Sequence, residues 1–318
     1  MPTDRRPRSP ATQRPAASTS WDPLAHWYNG WVGEGGSEHH RLVAIPTVMR
    51  LLEVRPGEQV LDIGAGQGVL APYITRAGAG YAGVDASPRL LDLARKHHAG
   101  AGRFMVGDAR KLASIAGLRA SSFDAAVFLL SLQDMDPLEP VLESVAWALK
   151  PGGRVVILLT HPAFRVPRQS GWGWDDGRKL VYRRVDRYLT PLPVPMKLMP
   201  GKEAKTTRSF HRPIGEYVNG LAARGLLIDR MDEVPGHKAT AAVSNTRAEN
   251  TSRKEIPLFL GLRARKLKEP LDQERSSGGR PAPGPDRSHA AGGATRRCFS
   301  AVDPGRYTPG RGRRRWSG

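Results

Sequence analysis

The residues best spaced for chemistry lie between Val60 and Asp108. The stretch Val60-Leu61-Asp62-Ile63-Gly64-Ala65-Gly66-Gln67-Gly68 sets a short apolar strand before three glycines. Glycines directly after a strand let the backbone turn tightly and let a ligand come where a Cβ would clash. Their Gly-x-Gly-x-Gly spacing differs from the Gly-x-Gly-x-x-Gly of dinucleotide sites, which weakens a nicotinamide reading. Asp85 lies 23 residues beyond Asp62, at the carboxyl end of a second strand, where an acid can accept from both hydroxyls of a ribose. Asp108, in Gly107-Asp108-Ala109, follows a third strand in the same way. Each acid could instead be a turn or helix-cap residue, and the glycines could serve the turn alone.

The segments that must hold these residues alternate between strand-like and helix-like, the pattern of a parallel sheet covered by helices. Strands are expected at Val60–Ile63, Tyr81–Asp85, Phe104–Val106, Phe123–Leu130 and Val155–Leu159. Two more are expected at Leu226–Ile228 and Ile256–Leu262, making seven. Helices are expected from Val69, over Arg89–His97 with Ser87 as cap and Pro88 at its first position, over Leu138–Leu149, and over Pro213–Arg224. The fold class expected is α/β, a seven-stranded, mostly parallel sheet with helices on both faces.

These motifs resemble the class I S-adenosylmethionine-dependent methyltransferases, in the small-molecule branch of ubiquinone and menaquinone biosynthesis enzymes. The resemblance is carried by Leu61 to Gly68, Val84-Asp85-Ala86-Ser87, Gly107-Asp108-Ala109, Phe123 to Val127, and Leu149-Lys150-Pro151-Gly152-Gly153, and it covers roughly Trp21 to Arg265. It implies that the α/β sheet is Rossmann-like with an antiparallel last strand pair. It also implies S-adenosyl-L-methionine as cofactor, with Gly64, Ala65, Gly66 and Gly68 under its methionine part. Asp85 and Ala86 would hold the ribose, Asp108 with Ala109 would face the adenine, and Asp62 would support the loop and, through water, the cofactor's amino group. Leu130 to Gln133 would close the site from the acceptor side.

Two segments outside the motifs carry further candidates. Trp21 to His40 is rich in aromatics and histidine and reads as a lid over the cofactor or a clamp on the sheet, with Tyr28 a candidate for contact or catalysis. Residues 160–212 are far longer than a crossover needs and read as a substrate cap. His161 and His211 are the candidate bases there, and Arg165, Arg168 and Trp172 the candidate acceptor contacts. Lys150 to Arg212 holds fourteen Lys/Arg against four Asp/Glu, which would draw an acidic acceptor or simply form a solvated basic face.

Composition bounds the alternatives. The net charge of +19 divides into +3 for residues 1–20, +9 for residues 263–318 and +7 for the body, so most of it lies in tails. Both tails have compositions expected to be disordered, giving a methyltransferase domain over 21–267 with its cap at 160–212. A nucleic-acid contact is only weakly suggested by the basic tail. The single cysteine, Cys298, argues against a disulfide framework, a Cys-based zinc site and covalent C5 pyrimidine methylation, and no metal is expected. The longest apolar run, near Ala125 to Leu130, is far short of the ~20 residues of a membrane helix. With no signal-like start, a cytoplasmic protein is expected. After the fourth strand the run Ser131-Leu132-Gln133-Asp134-Met135-Asp136-Pro137 lacks the Asn/Asp-Pro-Pro-aromatic stretch of enzymes acting on nucleic-acid bases. A small-molecule acceptor leads. An RNA or protein methyltransferase using the basic tail, or a non-catalytic cofactor-binding module, is the alternative.

If the tails carry neither fold nor cofactor affinity, a fragment of residues 20–268 will keep the melting temperature of the full chain. A loss of more than a few degrees in a thermal melt would contradict that boundary.

Overall fold

The computed structural model describes residues 21–197, 206–237 and 246–268. The disordered tails expected over 1–20 and 268–318 concern residues outside that set, apart from Lys268.

The elements run α1 (Ala25–Val32), α2 (Ile45–Leu52), β1 (Gln59–Ile63), α3 (Ala71–Arg76), β2 (Gly80–Asp85), α4 (Pro88–His97), β3 (Arg103–Val106), β4 (Phe123–Leu129), α5 (Leu138–Ala148) and β5 (Leu149–Thr160). They continue with β6 (Ser170–Asp175), β7 (Leu180–Val185), β8 (Leu192–Lys197), β9 (Thr206–His211), α6 (Ile214–Ala222), β10 (Leu226–Val234), α7 (Thr246–Glu255) and β11 (Phe259–Lys266). A π-type turn at His40–Ala44 leads into α2. Among the described residues no helix is long and apolar enough to cross a membrane.

Seven strands form one sheet in the order β10-β11-β5-β4-β1-β2-β3. The pairs β1–β2, β2–β3, β1–β4 and β4–β5 are parallel, and β11 runs antiparallel to both β5 and β10. The chain builds outward from β1 to β3, then returns to lay β4 against the other edge of β1. Order therefore reverses between β1 and β4, and ligands of open α/β sheets bind outside the carboxyl ends of the strands at such a switch.

Because side chains alternate across a strand, each central strand feeds two cores. Phe128 and Ile157 pack with Leu142, Tyr217 and Leu260 on one face. Val127, Val156 and Leu158 pack with Leu51, Leu70 and Ile74 on the other. This two-sided burial makes β4 and β5 nearly continuous apolar runs.

The described residues of the 160–212 segment include two antiparallel strand pairs, β6–β7 and β8–β9, at positions with no expected strand. β6 alternates Gly with Trp and β8 carries Pro193 and Pro195, residues that argue against a core strand. The helices α1, α2 and α7 were likewise not placed as separate elements from the sequence. Lys150 to Gly153 does not end the helix cleanly before a later strand: Leu149 already pairs with Phe123, and the register shifts before Arg154 meets Ala125.

Polar stitches join the sheet to α2. Arg154 is buried and donates to the carbonyl of Leu52, to Glu53 O at 3.2 Å, and to Glu58 at 2.9 and 2.6 Å. Losing one partner of a buried pair strands the other charge. Arg154→Leu is expected to lower the unfolding free energy by about 3–5 kcal/mol in urea titrations. Asp92→Ala, which removes the exposed pair with Arg95, is expected to cost under about 0.5 kcal/mol. Equal small losses at both positions would contradict the assignment.

Candidate functional site

The glycine turn after β1 is built by three glycines with positive φ, each for its own reason. A Cβ on Gly64 would sit 2.5 Å from Ser131 Cβ, and one on Gly68 would sit 2.9 Å from Phe104 Cε1. Protein packing alone demands glycine at those two places. Gly66 differs: with φ +55°, its added Cβ would meet nothing nearer than the Tyr28 ring at 3.9 Å. The cradle that a ligand backbone could enter therefore lies at Gly66, between the turn and α1.

Asp85 braces this cradle, and Asp62 and Asp134 join it around the Tyr28 phenol. Asp85, at the end of β2, accepts from Gly66 N–H and from Ser87 N–H, both at 2.8 Å. Each of its oxygens retains accepting capacity. Asp62 is 2% exposed; its Oδ2 accepts from Tyr81 Oη at 2.7 Å, while Oδ1 is buried without a donor. Burial pushes its pKa up to about 7 against the opposing Tyr81 bond. Asp134, on the 3-10 turn Leu132–Asp134 after β4, is likewise raised to about 7 by burial. Asp85 is raised by burial too, against its backbone donors.

The N-terminal segment closes over these acids. Asp22 Oδ1 accepts from Ser87 Oγ at 2.7 Å and Arg89 N at 3.0 Å, adding a second cap to α4, where Ser87 accepts from Leu90 N at 3.2 Å. Trp21 Nε1 donates to Asp134 Oδ2 at 3.2 Å, and the Trp21 and Tyr28 rings meet edge-on at 5.4 Å. Gln67, 1% exposed, donates to the carbonyl of Gly33 just past α1. Burial first, and then Asp85, Asp134 and Asp62, hold the Tyr28 phenol above its ordinary range. Tyr28 is thus a proton donor at neutral pH.

The remaining expected residues divide by place. Leu130 and Gln133 flank the turn against Gly64: Ser131 Oγ donates to Ile63 O at 2.6 Å, and Gln133 Oε1 accepts from Thr160 N at 3.0 Å. Ala65 and Ala86 belong to the turns that Asp85 braces. Asp108 caps the 3-10 turn Ala109–Ser114 through Arg110 N at 2.9 Å and pairs with the Arg110 guanidinium at 2.8 Å. His161 is buried with both ring nitrogens engaged, Nε2 with Glu233 at 2.9 Å and Nδ1 with Ala163 N at 3.2 Å. Burial lowers its pKa against the pull of Glu233. His211 Nε2 meets Tyr188 O at 2.6 Å.

Arg165 and Arg183 lie on the Trp172 ring at 4.9 and 5.1 Å, and Arg165 also donates to Pro257 O at 3.2 Å. Arg168 is exposed and spends one donor on Pro195 O at 3.2 Å. Of the three expected acceptor contacts, Arg168 has the most free donors. Asp134 and Gln67 were not singled out from sequence: a turn acid and a loop amide carry no spacing signal.

Residues 61–157 match a methyltransferase domain family. The chain is 36% identical over 114 residues to the demethylmenaquinone methyltransferase of Tropheryma whipplei, covering 36% of this chain and 46% of that one. It is 27% identical over 139 residues to the ubiquinone biosynthesis O-methyltransferase of Xanthomonas axonopodis pv. citri, covering 43% and 58%. The chain thus spans about half the length of the curated relatives it matches. The solved S-adenosylmethionine-dependent methyltransferase of Mesorhizobium loti is 26% identical with a TM-score of 0.55, covering 70% of this chain and 96% of that one. In fold and in these comparisons the chain is similar to the class I S-adenosylmethionine-dependent methyltransferases. The residues fit that cofactor: the donorless Asp62 oxygen suits an amino group, the open face of Gly66 suits a close ligand, and Asp85 stands at the strand end where a ribose is held.

Raised carboxylates set the sign of a stability effect. Asp62 and Asp134 bind protons more tightly folded than unfolded, so their stabilisation is full below about pH 4 and is lost as pH rises through about 7. Asp62→Asn removes the charge that burial disfavours. It is expected to raise the melting temperature of the ligand-free protein at about pH 8 by about 4–8 °C, and hardly at about pH 5. A lower melting temperature at the higher pH would contradict the assignment.

Proposed function

We propose that the protein is a methyltransferase that carries the methyl group of S-adenosylmethionine to a small-molecule acceptor. The observation that carries this reading is the buried Asp62 oxygen without a donor, four residues before the open face of Gly66. When bound, the cofactor supplies a methyl group activated on a sulfonium. The chain's own task is then orientation and removal of the acceptor's proton.

In this reading Asp62 receives the cofactor's amino group and Asp85 the ribose hydroxyls. The backbone at Ala86, Asp108 and Ala109 borders the adenine. Ser131 and Gln133 fix the turn after β4, and Leu130 to Gln133 separate the cofactor from the acceptor. Trp21 and Tyr28 cover the cradle and exclude water, which strengthens the electrostatics beneath them. The two strand pairs over 160–212 form the acceptor cap, with Arg168 facing solvent and able to meet an acidic group on the acceptor. A small, hydroxylated aromatic acid suits both the cap's charge and its aromatic residues. The acceptors named for the two quinone methyltransferase relatives, demethylmenaquinone and ubiquinone precursors, support a small-molecule choice over nucleic acid or protein.

Calorimetry with S-adenosylhomocysteine and with NADH tests the cofactor. Binding of the first and not the second is expected, and Asp85→Ala should cost ~2–4 kcal/mol of that affinity. NADH binding alone would contradict it. With 3,4-dihydroxybenzoate as acceptor, Arg168→Ala is expected to raise the acceptor KM and leave S-adenosylhomocysteine affinity unchanged. Added salt should raise the wild-type KM more than the variant's. Unchanged acceptor kinetics at low and high salt would reduce the basic cap to a solvated surface.

A further inference from the structure

Asp134 differs in its surroundings from every other acid of its turn. The turn is pressed on the glycine loop by Ser131, whose Oγ bonds Ile63 O at 2.6 Å, and it is tied to β5 by Gln133. Two residues on, the Asp136 carboxylate is paired with Arg212 at 2.7 Å. Asp134 has only neutral donors: Trp21 Nε1 at 3.2 Å from the N-terminal cover, and the Ser209 hydroxyl of β9. Among the described residues no Lys, Arg or His reaches it within ion-pairing distance. The side chain is half-buried.

The groups that face Asp134 from the elements around it are the Tyr28 phenol of α1, the Tyr217 phenol of α6, Ser209 of β9, and Asp62 and Asp85 beyond Tyr28. The nearest cation, Arg212, is committed to Asp136 and to Met135 O at 2.9 Å. Asp134 lies where the cap strand β9, through Ser209, and the N-terminal cover, through Trp21, meet the turn after β4. A carboxylate held there by neutral donors and left without a cation keeps its charge for a group that enters from outside.

We propose that Asp134 accepts the proton of the methyl acceptor, and that the acceptor is accordingly a molecule with a weakly acidic hydroxyl, a phenol or an enol. This rests on the methyltransferase reading above. The step balances as follows. The acceptor O–H bond breaks and its proton passes to an Asp134 oxygen. The oxygen lone pair so freed forms the new O–C bond to the methyl group, and the C–S electron pair returns to sulfur, leaving S-adenosylhomocysteine. A carboxylate anion and a sulfonium cation are both discharged, so charge is neutralised in a half-buried site as the bond forms.

Two arguments select a hydroxyl over an amine. Burial raises the pKa of Asp134 to about 7, so near neutrality a good fraction is ionised and its basicity suits a weakly acidic O–H. An amine among Asp62, Asp85 and Asp134 would be held as an ammonium ion, whose lone pair is not available for attack.

The test follows methyl transfer from tritiated S-adenosylmethionine to 3,4-dihydroxybenzoate by full-length wild type and Asp134→Asn, from about pH 5 to about pH 9. S-adenosylhomocysteine binding is measured alongside by calorimetry. The wild-type rate should rise to a plateau with an apparent pKa near 7. The variant should lose about 100-fold or more in kcat and lose that acid limb, with S-adenosylhomocysteine affinity unchanged within a few-fold. Transfer that persists in the variant with the acid limb intact overturns the role of Asp134 and leaves the methyltransferase reading standing. Loss of S-adenosylhomocysteine affinity in the variant overturns it too, since Asp134 would then serve the cofactor. A wild type that binds S-adenosylhomocysteine yet methylates no hydroxylated aromatic overturns the acceptor reading, and the inference with it.

Discussion

The Gly66 N–H reaches Asp85 Oδ2 at 2.8 Å, and this bond across the first crossover sets the position of everything around the site. It joins the turn after β1 to the end of β2. The second oxygen of Asp85 holds Ser87 N, and Ser87 in turn caps α4 and meets Asp22 from the N-terminal segment. One carboxylate thus fixes the turn, the helix that follows β2 and the start of the cover. With the turn in place, Gly64 admits Ser131 at a distance no other residue allows, and the turn after β4 closes the far side.

The same carboxylates are the site's chief physical expense. Elsewhere the protein pairs acids with arginine: half-buried Glu58 with Arg154, and the more exposed Asp229 with Arg263 and Arg265 and Asp136 with Arg212. Asp62, Asp85 and Asp134 have no such partner, and burial pushes all three upward. A chain with net charge +19 therefore presents a negative strand edge at its candidate site. Such an edge favours a cationic ligand, and a sulfonium with an amino group has two positive centres to offer it. The basic residues of the cap are farther out, and several are already spent on Trp172 and on backbone carbonyls.

The sheet was legible because β1, β2, β4 and β5 are short apolar runs closed by turn residues, and the Ser87-Pro88 cap was legible because capping is a local signal. The glycine turn and Asp85 were readable for the same reason: strand, glycine and acid follow at fixed spacing. What escaped was non-local. Nothing in Gln133-Asp134-Met135-Asp136 distinguishes the two aspartates; Arg212, 76 residues past Asp136, does so by pairing with one of them. The strand pairs of the cap escaped because Trp172 and Trp174 share a face that is exposed, glycines alternate with them, and β6 pairs only with β7 among the described residues. His161, attractive by its place after β5, has both ring nitrogens engaged by Glu233 and Ala163, partners that no sequence spacing reveals.

The central proposal is that Asp62 and Asp85, acids without a cation at the carboxyl edge, receive the cofactor, with Asp62 meeting its amino group. The most direct measurement is the proton balance of S-adenosylhomocysteine binding, by calorimetry in two buffers of different ionisation enthalpy. Near pH 6, where Asp62 with a pKa of about 7 is mostly protonated in the free protein, binding should release close to one proton. The release should vanish at about pH 8.5 and be absent in Asp62→Asn at both values. Binding that releases no proton near pH 6, or that releases as much in Asp62→Asn, would contradict the account.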